Sequence, residues 1–355
     1  MDFIFNGQAS GSVAQTLMDN DFDPNSLRPY KGNDGRSYIT RVNNQGVAEA
    51  VPTINATASL RKDDWKILDT AVVKAAKPRL KAVGDLRSAG LQMVIPNGMG
   101  KTVLETETQS DITAATISMD GMRESNTDRP LFELTNLPLP IIHKDFQFSL
   151  RQIMTSRNGG SPLDTTTAEL AGRRVAEEAE KLLLGVSGSY AYGGGTIYGY
   201  TNLLGRLTQV LTDPTDGAWT GLTLLTEVLE MRASSQGDYH YGPWVLYTSP
   251  DWDIYLDQDY STAKGDNTVR DRIKSVEGIQ DVRTLDYLED YDMVLVQMTS
   301  DVARMVIGME MNTLQWESKG GLQLNFKVMA IMVPQLRLDQ NSNTGIVHGA
   351  VADAD

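Results

Sequence analysis

The sequence predicts an α+β protein, and three observations predict that class. An amphipathic helical pattern covers residues 163–186, a Thr-rich alternating stretch at 103–140 is typical of a β-hairpin, and helix and strand patterns alternate through residues 201–310. The chain has 355 residues, 41% of them hydrophobic, which is enough apolar material for one large or two medium cores. We therefore expect a folded protein rather than a disordered one.

Composition excludes several kinds of functional site. The chain has no cysteine, so it cannot form a disulfide, a thiolate zinc site or a cysteine nucleophile, and its three histidines lie about a hundred residues apart. The segment Gly98–Thr102 (GMGKT) is similar to the end of a phosphate-binding loop, but Ile95 stands where that loop needs its first glycine. We expect no enzymatic activity, no catalytic residue, no metal and no cofactor.

Charge is distributed unevenly along the chain. The net charge of −14 argues against a conventional nucleic-acid reader, yet residues 61–101 carry +5, whereas residues 1–60 carry −2 and residues 102–355 carry −17. The sequence shows no run of about 18 apolar residues and no secretory signal pattern. We expect no membrane span and a cytoplasmic, reducing compartment.

The first hundred residues divide into an arm and a helix. Residues 1–60 are rich in Asn, Asp, Gly and Gln and show turn signals without an apolar period, which predicts an extended arm. From Trp65 to Ala76, apolar residues recur every three or four positions, which predicts an amphipathic helix that Pro78 ends. Lysines lie on the opposite face of this helix.

Residues 103–140 are predicted to form a long β-hairpin, because Asp120-Gly121 suits a two-residue turn between two alternating stretches. This segment carries a net charge of −5 and few large apolar residues. It cannot fold around a core of its own, so we expect it to lie on another surface.

The clearest predicted element is a long helix that begins at a Ser161-Pro162 cap and ends at Gly185. Small and aliphatic residues recur along one face: Ala171, Val175, Ala179, Leu182 and Val186. On the opposite face we expect i,i+4 ion pairs: Glu169 with Arg173, Arg173 with Glu177, Arg174 with Glu178, and Glu177 with Lys181. We interpret this helix as the structural spine of a domain.

Strands are predicted on both sides of the spine helix. Before it, Phe146, Phe148 and Leu150 alternate onto one face of a strand. After it, we predict helices near Leu222–Ala233 and Trp252–Tyr260 and strands near Trp244–Thr248, Met293–Met298, Val302–Met309 and Leu322–Val333. The alternation within residues 201–310 indicates an α/β domain.

Six segments carry a family resemblance: LRKDDWKILDTAVVKAA (60–76), RPLFELTNLPLPIIHKDFQFSLRQI (129–153), LDTTTAELAGRRVAEEAEKLLLGV (163–186), IYGYTN (197–202), YGPWVLYTSPDWDIYL (241–256) and GLQLNFKVMAIMVPQLRL (321–338). In this order they resemble the shell proteins of tailed bacteriophages, whose Hong Kong phage-type capsid fold is shared with bacterial encapsulins. Encapsulins usually begin close to the tryptophan helix, whereas residues 1–60 precede it here, which favours a phage capsid protein.

The resemblance implies a Hong Kong phage-type major capsid fold built from consecutive parts. These are an N-terminal arm (1–60), the N-terminal helix and first peripheral-domain strand (61–102), an extended loop or β-hairpin (103–140), a peripheral domain with the spine helix (141–200), an α/β axial domain (201–310), and peripheral-domain closing strands with a tail (311–355).

The function implied by the resemblance is that of a major capsid protein, which is not an enzyme. Such a protein assembles with itself, as hexamers and pentamers, into an icosahedral shell that encloses double-stranded phage DNA without sequence specificity. The resemblance leaves open whether scaffolding, portal and decoration proteins are further partners, and it implies no membrane. It would be assembled in the host cytoplasm and reside in the virion. An encapsulin-like nanocompartment shell, which encloses protein cargo, stays open as the alternative.

The distribution of charge along the chain indicates which residues would make the contacts of such a shell. If the basic segment faces the lumen, six side chains would contact phosphates: Lys66, Lys74, Lys77, Arg79, Lys81 and Arg87. Contacts between subunits are expected between the acidic hairpin and arginines, with these candidates: Glu105, Glu107, Asp111, Arg123, Arg129, Arg151, Arg157, Arg173 and Arg174. Some members of the family join a loop lysine to an asparagine on a neighbouring subunit. Residues 102–143 contain no lysine, so we expect no such cross-link.

Overall fold

The computed structural model describes residues 28–42, 48–52, 60–109, 132–158, 165–215, 219–260, 267–339 and 341–351, together with residues 115, 117, 119, 122 and 129. The predicted turn at Asp120-Gly121 and the predicted cap at Ser161-Pro162 lie outside these residues. Within them the α-helices are α1 (Lys62–Ala76), α2 (Ala82–Ser88), α3 (Leu150–Asn158), α4 (Thr166–Leu184), α5 (Gly221–Gly237), α6 (Asp253–Leu256) and α7 (Val269–Lys274).

The strands of the described residues, in chain order, are β1 (Tyr30–Lys31), β2 (Ser37–Val42), β3 (Ala48–Pro52), β4 (Gln92–Val94), β5 (Val103–Gln109), β6 (Phe132–Pro138), β7 (Ile142–Ser149), β8 (Tyr190–Tyr192), β9 (Gly195–Ile197), β10 (Leu207–Leu211), β11 (Trp244–Thr248), β12 (Ile279–Thr284), β13 (Met293–Gln297), β14 (Ala303–Ser318), β15 (Gln323–Leu336) and β16 (Ile346–Val351). Their mixture of parallel and antiparallel pairs with long helices confirms the predicted α+β class.

Two compact units are formed by this chain. Unit 1 contains the described parts of residues 1–102, 139–187 and 304–334, and unit 2 contains those of residues 103–138, 188–303 and 335–355. The strand β16 belongs to unit 2, because it pairs with both β10 and β13, which buries Ile346 and Val347 inside the sheet of that unit.

Unit 1 is built on a four-stranded sheet in the order β4-β14-β15-β7, on which α1 and α4 lie. Phe326 occupies the centre of its aromatic core: its ring stacks on Phe146 at 5.1 Å and meets Trp65 edge-on at 5.9 Å. Phe148 contacts the same ring at 5.6 Å. The strand alternation that was predicted for Phe146 and Phe148 is confirmed, because both are buried. Leu150, which was predicted on the same strand face, is instead the first residue of α3, where the Ser149 hydroxyl accepts a hydrogen bond from the N–H of Gln152 at 3.2 Å and favours a helix start.

The spine helix α4 ends as predicted, since Gly185 adopts a left-handed C-cap with φ of 94°. Its buried face differs slightly from the predicted stripe. Leu183 and Leu184 are buried, whereas Leu182 is half-buried and Val186 is exposed. The buried set of small and aliphatic residues is Ala168, Ala171, Gly172, Val175, Ala176, Ala179, Leu183 and Leu184.

A three-stranded antiparallel sheet, β1-β2-β3, lies within the segment that was predicted as an extended arm. Tyr30 of β1 stacks on Tyr38 of β2 at 6.1 Å between ring centroids. The backbone N–H of Lys31 donates to the carbonyl of Leu60 at 2.7 Å, just before α1 begins. The arm thus contains regular structure that its turn-rich composition did not predict.

Unit 2 contains a five-stranded sheet in the order β10-β16-β13-β11-β12. Its apolar core includes residues of the sheet, of α5 and of α7, among them Trp244, Trp252, Leu225 and Ile273. The predicted strand Trp244–Thr248 matches β11, whereas the helix expected near Trp252–Tyr260 is only the short α6. The strands β5 and β6 pair as the two arms of the predicted hairpin, and β8 and β9 form a second, smaller hairpin.

Candidate functional site

The basic face of α1 presents cations to the surface of unit 1. Lys66, Lys74 and Lys77 are exposed, and the ammonium of Lys66 lies 3.6 Å from the carboxylate of Asp63 on the same helix. An exposed pair of this kind contributes little to stability, because water and salt screen it. Lys66 and Lys74 are therefore accessible to another molecule, as the predicted phosphate contacts require.

A cluster of arginines surrounds one carboxylate of the spine helix, and we call it the Glu177 cluster: Glu177, Arg79, Arg173 and Arg174. The Glu177 side chain is only 9% exposed. Arg174 Nη1 lies 2.8 Å from Glu177 Oε2, while Arg173 Nε and Arg79 Nε lie 3.4 Å and 3.8 Å from Oε1. Arg79 was predicted to contact the lumen and the other two arginines to contact a neighbour, so the structure brings members of both predicted groups together.

The ion pairs along α4 differ from the expected i,i+4 ladder. Of the expected pairs, Arg173–Glu177 is present, but Arg174 contacts Glu177 instead of Glu178. Glu178 accepts a hydrogen bond from the Ser187 hydroxyl at 2.9 Å. Glu169 likewise accepts one from Thr165 at 2.9 Å. Glu178 and Glu169 therefore accept hydrogen bonds from nearby hydroxyl groups, and Arg174 pairs with the buried Glu177. The i,i+4 spacing had predicted that Glu178 would pair with Arg174 and Glu169 with Arg173.

Arg87 has a strong partner inside unit 1. Its two terminal nitrogens lie 3.1 Å and 2.5 Å from the two carboxylate oxygens of Glu310, in a bidentate arrangement that is only 18% exposed at Arg87. A bidentate pair of this geometry is among the stronger side-chain interactions. The charge of Arg87 is compensated within the subunit, so the exposed Lys66 and Lys74 are better placed to meet an external anion.

Glu180 is the most buried carboxylate near this basic segment, at 1% exposure. Its two oxygens accept hydrogen bonds from the backbone N–H groups of Ala82 at 2.6 Å and Val83 at 3.2 Å, at the start of α2. Burial raises the pKa of Glu180 to about 7, against the opposing effect of these two N–H donors. Lys81, half-buried at the same helix start, also favours the charged form of Glu180.

The hairpin β5–β6 exposes an acidic and apolar face. The strand register places Glu105 opposite Asn136 and Glu107 opposite Leu134, so these side chains share one face. Both carboxylates are exposed, and neither has an ion-pair or hydrogen-bond partner among the residues that the structure describes. Phe132 and Leu134 are more than 60% exposed as well. At the base of the hairpin, Asn136 donates to the Gly193 carbonyl at 3.0 Å.

The remaining residues that were predicted to form contacts are spread over both units. Arg151 is exposed on α3, and Arg129 is exposed beside β6 in sequence. Arg157 belongs to the last turn of α3, but its side chain lies outside the described residues, as do Asp111 and Arg123 entirely.

A buried cation in the arm is a feature that the sequence did not predict. The guanidinium of Arg28 pairs with Asp69 of α1 at 2.5 Å and donates to the Asn312 side chain at 3.3 Å. Trp65 Nε1 donates to the carbonyl of Pro29 at 3.0 Å. The segment around Arg28 has no apolar period, so its sequence carries no signal for this anchor.

Two kinds of site are absent from the described part of the chain. Within the described ranges, no group of three or more His, Asp or Glu side chains is arranged to hold a metal ion. His348 instead contacts Asp292 at 2.9 Å in unit 2. Among the helices of the described residues, none is long and apolar enough to cross a membrane.

Comparison with known sequences identifies a protein family and a related shell protein. Residues 55–349 match the model of a protein family described as "Family of unknown function (DUF6260)". The chain is 28% identical over 202 residues to the type 1 encapsulin shell protein EncA of Myxococcus xanthus (strain DK1622). This match covers 55% of the chain and 63% of EncA, which is less than two thirds of that protein's length.

Two solved structures show the same architecture. The virus-like particle from Pyrococcus furiosus has a TM-score of 0.58 at 14% identity, over 81% of this chain and 99% of that chain. The capsid of Myoviridae phage XM1 has a TM-score of 0.56 at 11% identity, over 73% of this chain and 89% of that chain. These likenesses confirm the predicted Hong Kong phage-type capsid fold, in which phage capsid proteins and encapsulin-like shells are both represented.

Proposed function

This chain belongs to the family of unknown function DUF6260 and has the capsid fold of shell-forming proteins, and on that basis we propose that it is a major capsid protein enclosing double-stranded DNA. In this proposal the subunits assemble with themselves, as hexamers and pentamers, into an icosahedral shell that becomes part of a virion. The role of the subunit is structural, and it catalyses no reaction.

The observation that carries the proposal is the segregation of charge. The chain is acidic overall, yet residues 61–101 carry +5, and the fold adds Arg173 and Arg174 to the cationic surface near Arg79. A shell around DNA needs cations that neutralise phosphates weakly and without sequence preference, on a surface that is otherwise repulsive. Lys66, Lys74 and Lys77 are exposed and suit this role.

Self-assembly is supported by the hairpin. A two-stranded hairpin is at best marginally stable in water by itself. Here it exposes Phe132 and Leu134 together with the carboxylates Glu105 and Glu107. A neighbouring copy that covers this face would bury the apolar side chains, and a head-to-tail contact of this type forms a ring when the rotation between copies closes.

The second candidate function is that of a nanocompartment shell with protein cargo. It is favoured by the 28% identity to EncA, which is named as an encapsulin shell protein, and by the near-complete coverage of the Pyrococcus furiosus particle. On this view the basic segment would face a protein rather than nucleic acid.

Electron microscopy and nuclease treatment distinguish the two. Particles are purified from the cells that naturally produce the protein, imaged, and treated with nuclease before their contents are extracted. Double-stranded DNA that survives treatment in closed shells from infected or lysogenic cells supports the phage capsid. Closed shells that hold a co-purifying protein and no protected DNA would replace it with the compartment, and the absence of any shell would contradict both.

A further inference from the structure

The Glu177 cluster carries more positive charge than its own carboxylate can balance. Arg173 and Arg174 share the single carboxylate of Glu177, so these three side chains carry a net charge of +1, and Arg79 Nε lies 3.8 Å from the same carboxylate. Arg173 and Arg174 have no other ion-pair partner among the residues that the structure describes. Excess positive charge on a folded surface attracts anions from solution.

The number of hydrogen-bond donors in the cluster also indicates that it can bind an anion. Each guanidinium has five N–H donors, whereas a carboxylate accepts about four hydrogen bonds. Arg173 and Arg174 alone therefore have more donors than Glu177 can satisfy. The Arg174 side chain is 63% exposed, so its donors that Glu177 does not bind face the solvent. A ligand with several acceptor oxygens would bind these exposed donors.

The cluster is held in place by the packing of α1 against α4. Gly172 lies so close to α1 that an added Cβ would come within 2.9 Å of the Val72 carbonyl oxygen. This close approach brings Arg79, just beyond the end of α1, to the turn of α4 that bears Glu177. The neighbouring residues Val175 and Ala176 are buried, which fixes the rotation of α4. The arginines are thus pre-organised by the fold.

We infer that Arg79, Arg173 and Arg174, positioned by Glu177, form a binding site for the phosphodiester groups of nucleic acid. The planar fork of arginine matches the geometry of a phosphate, and several forks around one point can contact two oxygens of one phosphate or adjacent phosphates. The buried Glu177 holds the forks without covering Arg174, whose side chain is 63% exposed. The inference rests on the proposed function, because the enclosed DNA supplies the phosphates.

DNA binding by the purified subunit tests this inference. Anisotropy of a fluorescent double-stranded oligonucleotide is measured against KCl concentration for the wild type and for the double variant Arg173→Gln/Arg174→Gln. The variant should bind about tenfold more weakly, and the slope of log affinity against log salt should fall by about 1 for each phosphate that the protein no longer neutralises. The matched control is Lys144→Gln/Lys319→Gln, which removes the same charge at exposed positions away from the cluster and should keep the larger part of the binding.

A charge-conserving variant distinguishes a site that depends on the geometry of arginine from a surface that is only positively charged. Arg173→Lys/Arg174→Lys keeps the charge but loses the fork, so its affinity should fall between those of the wild type and the Gln variant. Wild-type affinity in either cluster variant would overturn the inference. So would a Gln variant that binds DNA normally but no longer assembles, since the arginines would then serve a neighbouring subunit.

Failure of the inference is distinguishable from failure of the proposed function. Thermal unfolding followed by circular dichroism checks that each variant is folded. Particles without nuclease-protected DNA would contradict the function, whereas the oligonucleotide titration decides on the arginines by itself. Protected DNA in particles combined with unchanged binding in both cluster variants would retain the function and overturn the site.

Discussion

The guanidinium carbon of Arg28 lies 4.5 Å from the centre of the Trp65 ring, in a cation–π contact that joins the arm to the first helix of unit 1. Arg28 and Asp69 form an ion pair in a buried setting, where burial raises the pKa of Asp69 and Arg28 opposes that rise. The arm is therefore held on α1 by a specific polar anchor as well as by the backbone hydrogen bond from Lys31 to Leu60.

Removal of this anchor should destabilise the protein strongly. Arg28→Ala leaves the Asp69 carboxylate buried without its partner, which typically costs about 3–5 kcal/mol. Urea unfolding measures the change in the free energy of unfolding. The control Arg36→Ala removes an arginine whose side chain is 77% exposed and should change stability by less than about 0.5 kcal/mol. Equal effects of the two substitutions would contradict the anchor.

Two helical glycines should respond in opposite ways to replacement by alanine. At Gly172 in α4, the new Cβ would meet backbone and side-chain atoms of Val72 at 2.8–3.1 Å, so Gly172→Ala should destabilise by about 1–3 kcal/mol. At Gly84 in α2, nothing lies within 4 Å, so Gly84→Ala should stabilise by about 0.5–1 kcal/mol through backbone entropy. Thermal unfolding of both variants checks the prediction, which a stabilised Gly172→Ala protein would refute.

Glu180 should make stability depend on pH. Burial raises its pKa from 4.5 to about 7, so the folded state keeps a proton that the unfolded chain has already released. The contribution of this group to stability is therefore lost as the pH rises from about 4.5 to about 7. Glu180→Gln cannot titrate and keeps an accepting oxygen for the N–H groups of α2. Relative to the wild type, it should gain up to about 3 kcal/mol across that window.

Unfolding in urea at several pH values tests the role of Glu180. The control is Glu178→Gln on the exposed side of the same helix, which removes a carboxyl group that is not buried. A difference between Glu180→Gln and the wild type that does not change with pH would contradict the raised pKa of Glu180.

The proposed shell should contain no covalent cross-links through the hairpin. Residues 102–143 contain no lysine, and the flanking Lys101 and Lys144 lie before β5 and within β7 rather than on the hairpin strands. Mature particles boiled in detergent should therefore give a single band near 39.0 kDa on a gel. A ladder of multimers that survives boiling would contradict this prediction.

The sequence predicted the elements that follow regular patterns. The burial of Val175 and Phe146 follows from spacing, and the C-cap at Gly185 follows from the conformational freedom of glycine. The spacing rule also predicted the Arg173–Glu177 pair. These features depend on neighbours along the chain, which a single sequence displays.

Features that depend on distant segments could not be predicted in the same way. Arg79 reaches Glu177 only because α1 and α4 pack closely at Gly172, and Arg28 reaches Asp69 across 41 residues. No local pattern encodes such contacts. The placement of β16 in unit 2 has the same cause, because strands that are neighbours in this sheet lie far apart in the sequence.

The position of β16 also sets the timing of folding during synthesis. In the sheet of unit 2, β10 has β16 as its neighbour, and Leu207 pairs with Val347, about 140 residues further along the chain. During translation β10 is synthesised before β16, so it lacks this strand partner until residues 346–351 have left the ribosome. Pairing over such a distance forms late, because the intervening loop has to be closed first. A nascent subunit therefore lacks a finished sheet in unit 2 until β16 has been synthesised.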